Sequence, residues 1–523
     1  MPRAPRVPPC PMASPEPQVV LVNAFSRPLE NAVATARTCY SGRIITDEDV
    51  VQNPEQRDRI ARSTYEAGHH TTLQHAHFQF ALSNVSRQFL WSFLHAHPFY
   101  NSEQVSQRYV EVKPSSTAIP ALAGRARRIY EAAVEAQHAD YRTLAQILTP
   151  EVAAEYYRIF PARRKDGRFD REVKKKAQEI ARYVLPVSTL AFLYHTVSAV
   201  TLLRYFRACQ QPDASQETRF VVGRMVEELL KLDPLFEQLL EEPIPTAETL
   251  EARCVATKHL EQGVTKEFIE EFDRDLGPHV SKLVDWKGKN EEMVACAVRE
   301  VLGLPRARMT DERAIRLALD PSLNPYHGEA LTLTTLSKVS RALLHAGYTF
   351  KKKLSHAADS QDQRHRMVPG SRPILTSHVT GEPDYITPAL FCHSPEAKRV
   401  YDGAMARTWE AIVALRSEGV EHEWTAYLLP NAVAVRYAES ADLLHLHHKL
   451  KSRLCYNAQE EIWRASLDEV RQVREVNPII ARYLLPPCGL RLMSKTRPTC
   501  PEGDRYCGVP VWKHSIDEYA RVI

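Results

Sequence analysis

The residues richest in chemistry lie close together. Between Val85 and Val110 the chain reads VSRQFLWSFLHAHPFYNSEQVSQRYV. Near its end, Ser106 and Arg108 stand two residues apart. A hydroxyl and a guanidinium fork at that spacing can converge on one cluster of anionic oxygens, such as a nucleotide phosphate. Glu103 and Gln104, just upstream, supply an acceptor and an amide. An amide both donates and accepts, so it can read a pyrimidine edge. An ordinary polar loop capping a strand would show the same residues, and spacing alone leaves both readings open.

Other clusters are weaker. Ser355 to Pro373 (SHAADSQDQRHRMVPGSRP) is dense in His, Asp, Gln and Arg, either as a second polar site or as a solvated charged loop. Cys488, Cys500 and Cys507 invite a zinc reading, with Cys392 or His393 as a fourth ligand. Their spacings are long and structural zinc usually draws on closely spaced pairs, so the expectation is no metal. His445 and His448 on a helix, and His69-His70 in a loop, lack the carboxylate motif of a metal-binding helix.

Several elements must position these residues. Gln18–Ala24 reads as a strand, as does His77 to Val85. Helices are expected over Pro28 to Cys39, Asp58 to Ala67, Ala121 to Leu148, Arg171 to Tyr183 and Glu217 to Leu240. A long apolar helix, buried all round, is expected from Val187 to Cys209.

The pattern then repeats. Leu283 to Arg299 mirrors Val22 to Arg37, and Thr310-Asp311-Glu312 mirrors Thr46-Asp47-Glu48. Val339-Ser340-Arg341 mirrors Val85-Ser86-Arg87, Gln363-Arg364 mirrors Gln107-Arg108, and Leu429-Pro430 mirrors Leu185-Pro186. The long helix recurs as Ala432 to Leu454. Matches in one order imply duplication of a whole domain. The expected organisation is a disordered leader over 1–17, a first domain over 18–242, a helical linker over 243–278 and a second, diverged domain over 279–523. Each half should be α/β (α+β), a mostly antiparallel sheet flanked by long helices.

Bulk properties agree. A chain of 523 residues exceeds the roughly 250–300 residues at which single cores stop growing. A net charge of +4 argues against a dedicated nucleic-acid binder. No apolar run approaches the roughly 20 residues needed to span a bilayer, and the Pro-rich start lacks a signal-peptide core. Ten scattered cysteines suit a reducing cytoplasm.

The motifs resemble those of flavin-dependent thymidylate synthases. That family's signature runs from Val-Ser-Arg through an Arg-His-Arg triplet to Ser-Gln-Arg-Tyr, and Val85-Ser86-Arg87 and Ser106-Gln107-Arg108-Tyr109 are similar to its two ends. Ala36-Arg37-Thr38-Cys39-Tyr40-Ser41, Gly68-His69 with Thr71, His75 and Phe78, and Ala181-Arg182 with Leu185-Pro186 also resemble it. In the second half, Arg453 and Asn457-Ala458-Gln459-Glu460-Glu461-Ile462 resemble its late-helix motif, and Cys500-Pro501-Glu502-Gly503 with Cys507-Gly508 resembles the C-terminus of some members.

The resemblance implies reductive methylation of dUMP, with methylene-tetrahydrofolate as carbon donor, FAD as hydride carrier and NADPH as its reductant. No protein nucleophile is implied, so the protein's task is binding and orientation. It assigns Glu103, Gln104, Ser106, Arg108, Arg182 and Arg453 to the substrate, and His69, Thr71, His95, His97 and Asn457 to the cofactor. The triplet positions read His95-Ala96-His97 in the first copy and Thr349-Phe350-Lys351 in the second. The late-helix positions read Ser198, Val200, Arg204, Cys209 and Asp213 against Asp442, Leu444, His448, Arg453 and Asn457. Arg182 faces a counterpart Ala426, and Arg453 a counterpart Cys209. Such complementary loss points to one composite site, with a homodimer standing in for the family's tetramer. The alternative is a non-catalytic relative that binds a nucleotide or flavin or serves as an assembly partner.

Overall fold

Strand β3 (His77–Ser86) shows how each half is built. Phe78, Phe80 and Leu82 turn into the core while Gln79 and Ala81 face outward, the two-residue period of a strand with one buried face. The computed structural model describes residues 7–94, 97–108, 110–164, 167–258 and 263–523. In the first half, β2 (Gln18–Ala24), β3, β4 (Tyr100–Gln104) and β6 (Leu190–Ser198) form an antiparallel sheet in the order β2-β3-β6-β4. In the second, β7 (Ser281–Trp286), β8 (Gly347–Ser355) and β9 (Ala434–Asp442) form an antiparallel sheet in that order.

The helices repeat with the strands. Pro28–Thr38 corresponds to Asn290–Leu302, Arg87–Phe93 to His356–Asp362, Gly124–Ile159 to Pro395–Ser417, Ala199–Ala208 to Leu443–Arg453, and Ser215–Leu232 to Glu460–Val476. The chain is thus a tandem α/β fold.

Two expectations change. The long helix from Val187 to Cys209 is instead strand β6 followed by the helix Ala199–Ala208, and Ala432 to Leu454 is β9 followed by Leu443–Arg453. Phe192 and Tyr194 are apolar on the outer face of β6, so apolar side chains on both faces hide the two-residue period. Val339-Ser340-Arg341 is also not the twin of Val85-Ser86-Arg87. Ser86 ends β3 and caps the next helix through Phe89 N–H, and the residue doing this in the second half is Ser355, through Ala358 N–H.

The leader and linker carry structure. β1 (Met12–Ser14) pairs with β5 (Ile119–Pro120), and Met12 is buried, so a disordered leader does not extend through residue 17. The stretch 243–278 holds helices Leu250–Lys258 and Val264–Leu276. The second lies against the outer face of β8, where Asp275 pairs with Lys351 and Asp273 with Lys353 and Arg436.

The halves meet about an approximate two-fold axis at Pro186 and Pro430, which bridge each other. Val187 N–H donates to Leu429 O and Asn431 N–H to Leu185 O, both at 2.8 Å, and Ser188 N–H to Tyr427 O mirrors Ala432 N–H to Tyr183 O. One apolar core lies behind each sheet, and a third draws on both halves, packing Leu144 and Leu148 with Met405, Trp409 and Ile412. No helix among the described residues is long and apolar enough to cross a membrane.

Candidate functional site

The two strand ends fix the site. Ser86 donates its backbone N–H and hydroxyl to Glu217 at 2.7 and 2.6 Å, and Tyr427 from the other half donates to the same carboxylate. The mirror set is Ser355, Glu461 and Tyr183. Burial pushes both carboxyls up, opposed by these donors. Each half's strand end is thereby tied to the other half.

Beyond Ser355 and its helix come Gln363-Arg364-His365-Arg366, at the spacing after the serine that His95-Ala96-His97 has after Ser86. The second half therefore keeps an Arg-His-Arg triplet, Arg364-His365-Arg366. Thr349-Phe350-Lys351, the expected triplet position, lies in the middle of β8, and Gln363-Arg364 is not the counterpart of Gln107-Arg108. The Ser86/Ser355 capping pair is the signal that would have set the register. His95 lies outside the described residues.

Five guanidinium groups converge at the junction. Arg108 pairs through Nε with Glu179 and donates Nη2 to Asn457 O of the second half at 2.8 Å. Buried Arg182 donates to Gln459 Oε1 at 3.0 Å, and Arg453 to Gln361 O at 2.6 Å. Arg87 donates to Val105 O at 2.7 Å. Exposed Arg364 completes the group. Burial, then Arg182 and Arg364, pulls Arg87 down to about 9. Burial also lowers Arg453 to about 10, with Arg108 and Arg364 adding to it and Asp362 opposing. Nε of Arg87, Arg182 and Arg453, Nε2 of Gln107 and Oε1 of Gln104 are buried without a protein partner. Such atoms cost free energy unless something binds them.

Ser106 Oγ accepts from Arg108 N–H at 3.3 Å, and Glu103 is exposed on β4. Asn457 donates its side-chain amide to Arg505 O at 2.7 Å, tying the site to the C-terminal tail. A cleft of about 960 Å³ opens beside Arg108, walled by Lys176, Glu179, Tyr456, Asn457 and Arg521. Of the expected substrate residues in the first half, Arg108 and Arg182 thus reach the second, at Asn457 and Gln459.

Three cofactor expectations fall elsewhere. His69 and Thr71 are exposed in the loop before β3, whereas Ser86 and Arg87 lie at its far end. Along ten residues at about 3.3 Å each, that is roughly 30 Å. His97 packs with Tyr100 and Tyr205, its Nε2 at 3.1 Å from the Tyr205 hydroxyl, and burial followed by Arg204 and Arg366 lowers its pKa.

The twin junction has lost its cations. Thr376 stands where Arg108 would and donates to Asp213, the counterpart of Asn457, at 2.9 and 3.1 Å. Ala426 and Cys209 replace Arg182 and Arg453. Glu423, the counterpart of Glu179, accepts from Ser215 and Gln216, and burial pushes it up to about 8. Burial also acts to raise Glu179, but Arg108, Lys176 and Arg182 hold it far below the usual carboxylate range.

Beneath the triplet lies a buried charge network that sequence reasoning missed. Lys352 Nζ reaches Glu439 at 2.6 Å, Glu469 at 2.7 Å and Asp362 at 3.0 Å, and Lys449 also contacts Asp362 and Glu439. Burial acts to discharge Lys352, but Asp362, Glu439 and Glu469 hold its ammonium well above the usual range. Burial, then Arg453 and Lys449, keeps nearby His365 well below the histidine range, so it is neutral near pH 7. In the first half the corresponding positions are Leu82, Tyr205, Phe93, His195 and Met225. Arg366 donates to Pro98 O and lies over the Tyr100 ring, joining the triplet to the first half.

The fold and the site define a tandem α/β chain with one cationic junction and one neutralised twin. A profile of the thymidylate synthase complementing protein family matches residues 20–235 and again 282–479. The chain belongs to that family, as a diverged two-domain member. It is 27% identical over 220 residues to a flavin-dependent thymidylate synthase of Clostridium tetani, covering 42% of this chain and 84% of the relative. It is 32% identical over 170 residues to one of Geobacter sulfurreducens, covering 32% and 70%. Among solved structures it is similar to a UMP/dUMP methylase PolB from Streptomyces cacaoi bound with 5-Br dUMP, at 22% identity and a TM-score of 0.30, over 43% of this chain and 95% of that one.

Proposed function

We propose that the chain is a flavin-dependent thymidylate synthase that binds dUMP at the junction of Arg87, Arg108, Arg182, Arg364 and Arg453. The observation that carries this is the set of buried, unpartnered donors between converging guanidiniums at one junction, whose Arg108, Arg182 and Arg453 have Thr376, Ala426 and Cys209 as counterparts at the twin. A phosphate dianion suits that arrangement, and the Gln104 and Gln107 amides suit a uracil edge. When bound, reduced FAD supplies a hydride and methylene-tetrahydrofolate the carbon, with NADPH recharging the flavin. The chain's own residues hold the nucleotide, keep His365 neutral and exclude water. Asn457 fits the cofactor side of the junction. His69 and Thr71 fit it only if a second chain brings them there, which favours a homodimer with four domains.

Their separation from the arginines within one chain also favours the second reading, a relative that binds the nucleotide without turning it over. The visible spectrum of the purified protein, and dUMP-dependent NADPH oxidation with methylene-folate, distinguish the two. A flavin spectrum with dUMP-dependent turnover supports the enzyme. A colourless protein that binds dUMP but takes up no FAD supports the relative.

A further inference from the structure

The segment 494–523 reaches the cationic junction from outside the span that the family profile matches, since the second match ends at residue 479. Its regular structure consists of short 3-10 turns, Gly503–Arg505, Val511–Lys513 and Ile516–Glu518. Side chains must therefore do much of the work of fixing it to the rest of the chain. Arg521 is buried, and its guanidinium donates to three carbonyls: Nη1 to Tyr456 O at 2.6 Å, Nη2 to Ala458 O at 2.9 Å and Nε to Ile523 O at 2.7 Å. The same group lies over the rings of Tyr456 and Trp463, 5.7 and 5.4 Å from their centroids.

Tyr456 and Ala458 flank Asn457. One rigid fork fixes both neighbouring carbonyls, so the peptide between them is held in one orientation. In that orientation Asn457 O accepts from Arg108 Nη2 at 2.8 Å. The segment grips Asn457 a second time, because the Asn457 side-chain amide donates to Arg505 O at 2.7 Å. Arg108 is thus held from two sides, by Glu179 of its own half through Nε and by Asn457 O of the other half. At the twin junction Asp213 stands in the place of Asn457 and accepts from Thr376 through its side chain. Thr376 replaces Arg108 there, so that junction has no guanidinium to aim.

We propose that Arg521 is a positioning residue for the nucleotide site: it fixes the backbone from Tyr456 to Ala458 so that Asn457 O holds Arg108 where it meets an anionic oxygen. The inference rests on the proposed dUMP site and adds to it a residue that acts through the backbone. Binding groups must be held within about 0.5 Å of their productive places, and Arg521 supplies that restraint to a turn of little regular structure. Lysine cannot take over, because an ammonium is a point charge without the planar fork that spans two carbonyls.

The test is a double-mutant cycle on dUMP affinity, by calorimetry on the full chain, with thermal melts alongside to confirm folding. Arg521→Ala and Arg521→Lys should each weaken dUMP binding about tenfold, the loss expected when one charge-assisted contact is misplaced. In an Arg108→Ala background, Arg521→Ala should weaken it no further, because the group it aims is gone. Arg474→Ala removes an exposed ion pair between the helix Glu460–Val476 and Asp517 of this segment, and it should leave affinity unchanged. Full affinity in Arg521→Lys, losses from Arg108→Ala and Arg521→Ala that simply add, or an equal loss in Arg474→Ala would overturn the inference and leave the proposed function standing. A wild-type chain with no measurable dUMP affinity overturns both. If Arg521→Ala fails to fold, Arg521→Lys carries the same cycle.

Discussion

Glu179 and Glu423 occupy equivalent places and have opposite charge tendencies. Glu179 is held ionised by Arg108, Lys176 and Arg182, while Glu423 lacks such neighbours and burial raises it to about 8. A raised carboxyl favours folding below its unfolded value, about 4.3, and loses that contribution as pH climbs through about 8. Glu423→Gln should therefore gain stability relative to wild type as pH rises from 5 to 9, measured by thermal melts across that range. A constant difference between the two would refute the assigned burial. On the cationic side, charge-assisted hydrogen bonds are worth about 1.5–3 kcal/mol. Arg182→Ala should weaken dUMP binding about 10- to 100-fold by calorimetry. The loss of cations at the twin was legible in the sequence, because Arg182 and Arg453 sit in motifs that align without structure. The triplet was not, because the chance string Val339-Ser340-Arg341 fixed the wrong register. Only the capping roles of Ser86 and Ser355 correct it.

At the scale of elements, the second half replaces an apolar core layer with buried charge. Removing Lys352 alone leaves Glu439 and Glu469 buried against fewer cations, and breaking such a set costs about 3–5 kcal/mol. Lys352→Leu should thus lower the melting temperature strongly. Converting Lys352, Lys449, Asp362, Glu439 and Glu469 together to the first half's Leu, Tyr, Phe, His and Met should recover much of that loss. It should still weaken dUMP binding, because the network lies directly under Arg364 and His365. Stability and affinity measured side by side check this; recovery of both would make the network structural only. Sequence periodicity could not reveal this layer, since Lys352 and Lys353 read as one polar run until β8 turns alternate residues inward. The same limit hid β6, whose exposed Phe192 and Tyr194 imitate a buried helix. Strand β3, with polar residues on one face, was legible almost to the residue, and β2 was legible from its short β-branched run.

At the scale of the molecule, duplication built two junctions about one axis and divergence left one of them cationic. Folding and site assembly are coupled, because Tyr427 and Tyr183 cross between halves to the carboxylates that anchor the strand ends. The proposed flavin pocket needs His69 and Thr71 from a second chain, so light scattering should give twice the chain mass, and FAD content should fall when the dimer is dissociated by dilution. The central claim is that each chain has a single nucleotide site, built from both halves. Calorimetric titration of dUMP into the full chain tests it most directly. A composite site requires one nucleotide per chain, with binding weakened at least tenfold both by Arg108→Ala in the first half and by Arg453→Ala in the second. Two nucleotides per chain, or unchanged affinity in Arg453→Ala, would contradict it.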